Sequence, residues 1–144
     1  MTAADYQVSN DPARLDFATI HQFIASSYWA AGIPEAVLRK AMENSLCFGV
    51  YDGHGQQVGF ARVITDQATF AYLADVFILP PHRGLGLSKM LIQAVVNHPE
   101  LQGLRRMMLA TRDAHSLYAQ YGFTEVVNPQ SLMQIWQPDI YQLK

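Results

Sequence analysis

The amino-acid sequence predicts a mixed α/β fold, a central sheet with helices on its faces. Three observations predict it. Half of the 144 residues are hydrophobic and 15% are charged, below the usual charged share of about a quarter, so a real core can form. The apolar residues switch between a helical period near 3.6 and a strand period near 2 along the chain. Turn residues separate these stretches, with no repeat and no low-complexity linker. One domain spanning 1–144 is therefore expected.

The elements follow in order. Residues 5–9 suit a short first strand. Phe17, Ile20, Ile24 and Tyr28, with Phe23 beside them, follow helical spacing. A second helix begins near Pro34, a residue suited to a first helical turn, and its apolar positions are Val37, Leu38, Ala41 and Met42. Between them lies an aromatic and small-residue stretch, Tyr28-Trp29-Ala30-Ala31-Gly32-Ile33. Residues 46–51 and 57–65 read as strands joined through Asp52-Gly53-His54-Gly55, a hairpin. After the turn at Asp66-Gln67, residues 70–79 form a nearly unbroken apolar run, suited to a strand buried on both faces. Pro80-Pro81 ends it.

A helix over 84–97 follows, with Leu87, Met90, Leu91, Ala94 and Val95 as its buried stripe, closed by His98-Pro99. Residues 107–110 read as a strand, 113–121 as a short helix, and 123–127 and 132–136 as two last strands. The order is β-α-α-β-β-β-α-β-α-β-β.

Charge excludes some functions. The net charge is −2, and the densest basic cluster is Arg105-Arg106 with Arg112 nearby. A nucleic-acid groove needs more positive charge. No apolar run approaches the roughly 20 residues that span a bilayer. Neither nucleic acid nor membrane is an expected partner. The single cysteine, Cys47, lies in an apolar run without spaced partners, so it reads as a buried thiol. His82, His98 and His115 lack metal-ligand spacing and read as solvated; no metal is expected. Residues 1–10 show no signal-peptide pattern. A reducing cytoplasmic setting is expected.

The chemistry concentrates in Ile78-Leu79-Pro80-Pro81-His82-Arg83-Gly84-Leu85-Gly86-Leu87-Ser88. A buried strand runs into a glycine-rich turn that opens a helix. The first helical turn carries unpaired N–H groups and a positive dipole end. Glycines let the chain approach an anion closely, and a pyrophosphate suits such a site. The P-loop pattern is absent, and the dinucleotide fingerprint lacks its third glycine, since Leu87-Ser88-Lys89 follows Gly86. An ordinary strand-to-helix loop stands beside the phosphate reading. Gly53, Gly55 and Gly59 lie in the hairpin and read as turn chemistry.

At this point the sequence resembles the GNAT family of N-acetyltransferases. Arg83-Gly84-Leu85-Gly86-Leu87-Ser88 matches the family motif [QR]-x-x-G-x-[GA], with Ser88 in place of glycine or alanine. Ala114-His115-Ser116-Leu117-Tyr118-Ala119-Gln120-Tyr121-Gly122-Phe123 resembles A-x-x-L-Y-x-x-x-G-F. Thr111 stands where the family often has asparagine. The resemblance covers residues 46–127 and is weak over the first 45.

The resemblance implies a mixed, mostly antiparallel sheet with a splayed parallel strand pair, here 70–79 and 107–110. It implies acetyl-CoA as co-substrate in that splay. Arg83, Gly84, Leu85, Gly86, Leu87, Ser88 and Lys89 would hold the pyrophosphate. The backbone near Phe77 and Ile78 would pair with the pantetheine arm and hold the thioester carbonyl. Tyr118 would be the general acid; as a side chain alone it reads equally as a packed aromatic.

No carboxylate lies on 107–110. Asp75, inside the apolar strand beside Val76 and Phe77, is therefore the candidate to deprotonate or orient the acceptor, or else a structural acid. Tyr72, Asp66, Tyr28 and Trp29 are candidates to line the acceptor cleft. The expected activity is transfer of an acetyl group to a primary amine, of a small molecule or peptide, by direct attack in a ternary complex. The alternative is an acyl-CoA sensor or partner module without turnover. A homodimer is the commonest assembly.

Overall fold

A computed structural model describes residues 2–142. The elements are β1 (Gln7–Ser9), α1 (Phe17–Ala25), α2 (Glu35–Glu43), β2 (Leu46–Tyr51), β3 (Gln57–Thr65), β4 (Phe70–Ile78), α3 (Leu87–Val96), β5 (Arg106–Leu109) and α4 (His115–Ala119), with short 3₁₀ turns between. They form one five-stranded sheet in the order β1-β2-β3-β4-β5. The first four strands run antiparallel, and β5 pairs parallel to β4.

The helices cover both faces. On one face α3 buries Leu87, Leu91, Ile92 and Val95 against Phe48, Val50, Ala61, Val63, Ala71 and Leu73 of the sheet. On the other, α1 and α2 bury Ile20, Ile24 and Leu38 against Cys47, Phe60 and Phe77. Asp16 caps α1, its carboxylate accepting from the Thr19 N–H and hydroxyl. Pro34 stands just before α2, and of its predicted stripe Leu38 is buried while Val37 faces out.

The long apolar strand is interrupted by a bulge. Phe60 pairs with Phe77, yet Arg62 pairs with Ala74, so β4 carries one extra residue. Asp75 sits there with φ of 56°, a left-handed conformation that aspartate tolerates better than most residues. Because side chains alternate, one extra residue flips the strand's parity. Ala71 and Leu73 face α3, whereas Phe77 faces α1 and stacks on Phe23 at 4.1 Å between ring centroids.

The sequence expectation fails at the C-terminal end. Residues 123–127 and 132–136 are not strands; neither pairs into the sheet among the described residues. Apolar and β-branched composition suggests a strand, but without a hydrogen-bonded neighbour it does not make a ladder. The first strand also begins at Gln7, not Asp5, because residues 3–5 form a 3₁₀ turn closed by Asp5 on Thr2.

Candidate active site

The parallel pairing of β4 with β5 is short. It runs from Phe70 opposite Arg106 to Leu73 opposite Leu109, and β4 then continues alone to Ile78. The strands diverge where the bulge begins. A cavity of about 770 Å³ occupies the divergence. Its walls include Leu73, Ala74, Asp75 and Val76 of β4, Leu109 to Ala114 beyond β5, Tyr118 of α4, and Tyr28 and Trp29 from the α1–α2 connection. Asp75 and Tyr118, 43 positions apart in the sequence, thus share one cleft.

Tyr118 is 8% exposed and packs edge-on against Phe123. Burial, with a smaller contribution from Tyr28, holds its hydroxyl above the ordinary value near 10. It is therefore protonated at neutral pH and able to give that proton away. Thr111 Oγ1 accepts from the Ala114 N–H at 3.0 Å. That bond fixes the start of the α4 turn, so Thr111 borders the cleft while positioning Tyr118.

Asp75 is engaged on both oxygens. One accepts from the Trp29 indole at 2.7 Å, and the other pairs with Arg62 Nε at 2.8 Å. Arg62 also donates to the Ser45 hydroxyl. The carboxylate thereby ties the bulge to β3 and to the loop after α1. Arg62 escaped the sequence reading, though a signal was present: one cation and one anion, each alone in an apolar strand. The Arg112 guanidinium lies 3.6 Å over the Tyr28 ring at the cleft wall. Tyr141 also borders the cavity, a contact nothing local in the sequence announces.

Of the other candidates, Tyr28, Trp29 and Tyr72 line the cleft. Asp66 does not. It organises the β3–β4 turn, accepting from the Thr69 hydroxyl and from the Ala68, Thr69 and Phe70 N–H groups, which holds its carboxyl well below the usual range. Burial pushes the Cys47 thiol up to about 11, against a smaller opposing effect of Arg62, so it stays unreactive at neutral pH. His82 is not simply solvated: it shares a hydrogen bond with the Tyr6 hydroxyl at 2.8 Å. Nor is His98, which accepts from the Glu100 N–H.

At the far end of β4 the glycine turn has an anion-ready form. Gly84 and Gly86 have φ of 83° and 79°, conformations that suit glycine. Apart from its own chain neighbours, neither has an atom of the described residues within 4 Å of where a Cβ would sit, so a ligand can approach the backbone. The first helical bond of α3 runs from the Met90 N–H to Gly86, and no side chain caps the end. The N–H groups of Leu87, Ser88 and Lys89 precede that bond and have no helical acceptor. Arg83 folds back, its Nε donating to the Ile78 carbonyl at 2.9 Å, and so fixes the turn to the strand end. Phe77 and Ile78 are buried through their side chains, so they offer the site backbone only.

A glycine turn of this form at the end of a strand that parts from its parallel neighbour agrees with comparison to known proteins. The family model for the GNAT acetyltransferases matches residues 15–123. The chain belongs to the GNAT acetyltransferase family. A Gibberella zeae protein named as an acetyltransferase is 38% identical, over 83% of this chain and 78% of its own length. A crystal structure of a GNAT-family protein from Xanthomonas campestris pv. campestris is 54% identical and superposes with a TM-score of 0.93, covering 96% of this chain and 97% of that one. The [ribosomal protein bS18]-alanine N-acetyltransferase of Haemophilus influenzae is 32% identical over about half of each chain (51% and 51%).

The GNAT fold expected from the two motifs is therefore the one present, including the mixed sheet and its parallel pair. No helix among the described residues is long and apolar enough to cross a membrane. Among the same residues no group of three His, Cys, Asp or Glu side chains is placed to hold a metal ion.

Proposed function

We propose that this acetyltransferase moves the acetyl group of acetyl-CoA to a primary amine, by direct attack in a ternary complex. The observation that carries the proposal is the cleft between β4 and β5, walled by a protonated Tyr118, with the open glycine turn following the far end of the same strand. The residues present fit acetyl-CoA. The uncapped N–H groups of Leu87, Ser88 and Lys89, with space beside Gly84 and Gly86, suit its pyrophosphate. Among the described residues, the β4 edge from Ala74 to Ile78 has no strand on its β5 side and offers backbone groups to an extended arm.

Acetyl-CoA supplies an activated thioester; the rest falls to this chain. A backbone N–H near Phe77 or Ile78 would polarise the thioester carbonyl, as oxyanion donors do. Tyr118 holds a proton inside the cleft for the departing sulfur. Asp75, held by Trp29 and Arg62, orients the acceptor wall rather than removing a proton, because both its oxygens already serve fixed donors. The aromatic residues Tyr28, Trp29 and Tyr72 leave room for a small amine or a peptide end. The named activity of the Haemophilus relative, on the alanine of a ribosomal protein, supports an amine acceptor. The lone buried thiol supports a reducing, cytoplasmic setting.

The test is CoA release from acetyl-CoA across a broad amine panel, with Tyr118→Phe as the control. Wild type should turn over at least one amine, and Tyr118→Phe should lose about 10²–10⁴ in kcat, the usual size of acid–base effects. Binding of acetyl-CoA without release on any amine would favour the acyl-CoA sensor reading. A folded Phe variant keeping more than about half of kcat would remove the acid role.

A further inference from the structure

The rim of the cleft holds a cation that the chain leaves unpaired. Among the described residues, four charged side chains border the cavity: Arg62, Asp75, Arg112 and Asp113. Arg62 and Asp75 neutralise one another at 2.8 Å. Arg112 has neither an ion pair nor a hydrogen bond among the described residues. What it touches is the Tyr28 ring, with the guanidinium carbon 3.6 Å from the ring centroid. At that distance an N–H aimed into the ring would overlap it, so the two planes are stacked. Stacking occupies a face of the guanidinium and leaves its in-plane N–H donors free. Asp113, next in the chain, forms no ion pair with Arg112 among the described residues.

Both partners of the stack are held in place. Thr111 accepts from the Ala114 N–H at 3.0 Å, which fixes the turn that carries Arg112. On the other wall the Trp29 indole is bonded to Asp75 at 2.7 Å, and Tyr28 meets Trp29 edge-on at 5.1 Å between ring centroids. Donors also outnumber acceptors around the cavity. Asp75 spends both oxygens on Trp29 and Arg62. The hydroxyls of Tyr28, Tyr72 and Tyr141, residues of the same cavity wall, have no hydrogen-bond partner among the described residues. Arg112 is solvent-exposed, so its charge alone does little in water; the fixed stack and the planar fork are what select a ligand. A guanidinium grips a carboxylate or phosphate through two parallel hydrogen bonds, and the spare hydroxyls can add to that grip. The reacting end is near, since Tyr28 contributes to the raised pKa of Tyr118.

We propose that the acceptor is a primary amine that also carries an oxyanion, a carboxylate or a phosphate, and that Arg112 binds this group at the rim while the amine reaches toward Tyr118. This acceptor class rests on the acetyl-transfer reading and narrows it. Arg112, stacked on Tyr28, then sets specificity: neutral amines lack the group it pairs with, and polycations are repelled. Asp113 is an exposed charge at the same rim outside the stack, and it supplies the control.

CoA release is measured with glycine, β-alanine, γ-aminobutyrate and δ-aminovalerate, each against its own carboxamide, and with phosphoethanolamine against ethanolamine. Wild type should favour at least one anionic amine over its uncharged counterpart by about 10–100-fold in kcat/KM, the size of a hydrogen bond to a charged group. The favoured arm tells carboxylate from phosphate. Arg112→Gln should bring that ratio close to one, Arg112→Lys should restore part of it, and Asp113→Asn should leave it in place or raise it; circular dichroism checks that each variant is folded. Uncharged counterparts used by wild type as well as every anionic amine, or a ratio that Arg112→Gln leaves in place, overturns the anion subsite while acetyl transfer stands. Turnover on no amine at all counts against acetyl transfer instead, and binding then judges the subsite. The Arg112 Nε–H NMR signal, assigned by its loss in Arg112→Lys, should shift as γ-aminobutyrate or phosphoethanolamine is added and stay in place with the uncharged counterparts. No shift with any of the anionic amines overturns the proposal.

Discussion

Asp75 carries a load that can be divided by two substitutions. Asp75→Asn keeps the backbone conformation, since asparagine also accepts a φ of 56°, and keeps an amide oxygen for the Trp29 indole. It removes the charge facing Arg62. Breaking a buried ion pair costs about 3–5 kcal/mol. Arg62 retains 15% side-chain exposure and its bond to Ser45, so about 2–3 kcal/mol is expected here. Asp75→Ala loses the same charge and two things more. The left-handed backbone costs about 1 kcal/mol without a short polar side chain, and the unpaired indole about 1 kcal/mol. The expected total is about 4–5 kcal/mol. For a chain of this size each kcal/mol lowers Tm by about 4 °C. Urea unfolding followed by circular dichroism, with m unchanged, measures both. Equal losses in the two variants, or no loss in either, would refute the account of the bulge. Activity adds an independent readout: a residue that positions the cleft wall should leave the pH profile of kcat/KM in shape while Asp75→Asn lowers it, whereas loss of the acidic limb would make Asp75 the base.

Three further predictions follow from the same geometry. Gly86→Glu places a side chain at φ of 79° and a negative charge where an anion would sit; acetyl-CoA affinity should fall more than 100-fold by calorimetry, from charge repulsion and backbone strain together, and an unchanged affinity would move the pyrophosphate elsewhere. Gly59→Ala would bring a Cβ to 3.0 Å from the Phe77 carbonyl oxygen and 2.7 Å from Ile78 Cδ1; a loss of about 1–3 kcal/mol is expected from overpacking, and a variant as stable as wild type would show that β4 yields there. Because burial raises the Tyr118 pKa, the folded state holds that proton more tightly than the unfolded chain does; its contribution to stability is complete below pH 10 and declines as pH rises through the folded value. The difference in tyrosinate absorbance between wild type and Tyr118→Phe should therefore titrate above the ordinary value near 10, and a difference titrating below it would contradict the buried setting.

Much of this was readable from one sequence because the signals were local. β2 and β3 fall at the predicted bounds, since a hairpin needs only its own turn and alternation. α1 buries Ile20 and Ile24 as their spacing required. The glycine turn was legible because positive φ and an uncapped helix start depend on a few adjacent residues. Tyr118 came from its motif. The partners of Asp75 were not legible: Trp29 and Arg62 are 46 and 13 positions away, and a bulge decides which of them the carboxylate meets. A strictly alternating β4 would have put Phe77 on the α3 face with Leu73.

The two missing strands reveal what local composition does and does not encode. Residues 132–136 have the composition of a strand, yet they form none. What they lack is a neighbour. Composition favours an extended chain; it says nothing about which edge supplies the hydrogen bonds. Ser131 borders a cavity beside β5 and Tyr141 packs beside Gly32, so the span between them bypasses the open edge of β5.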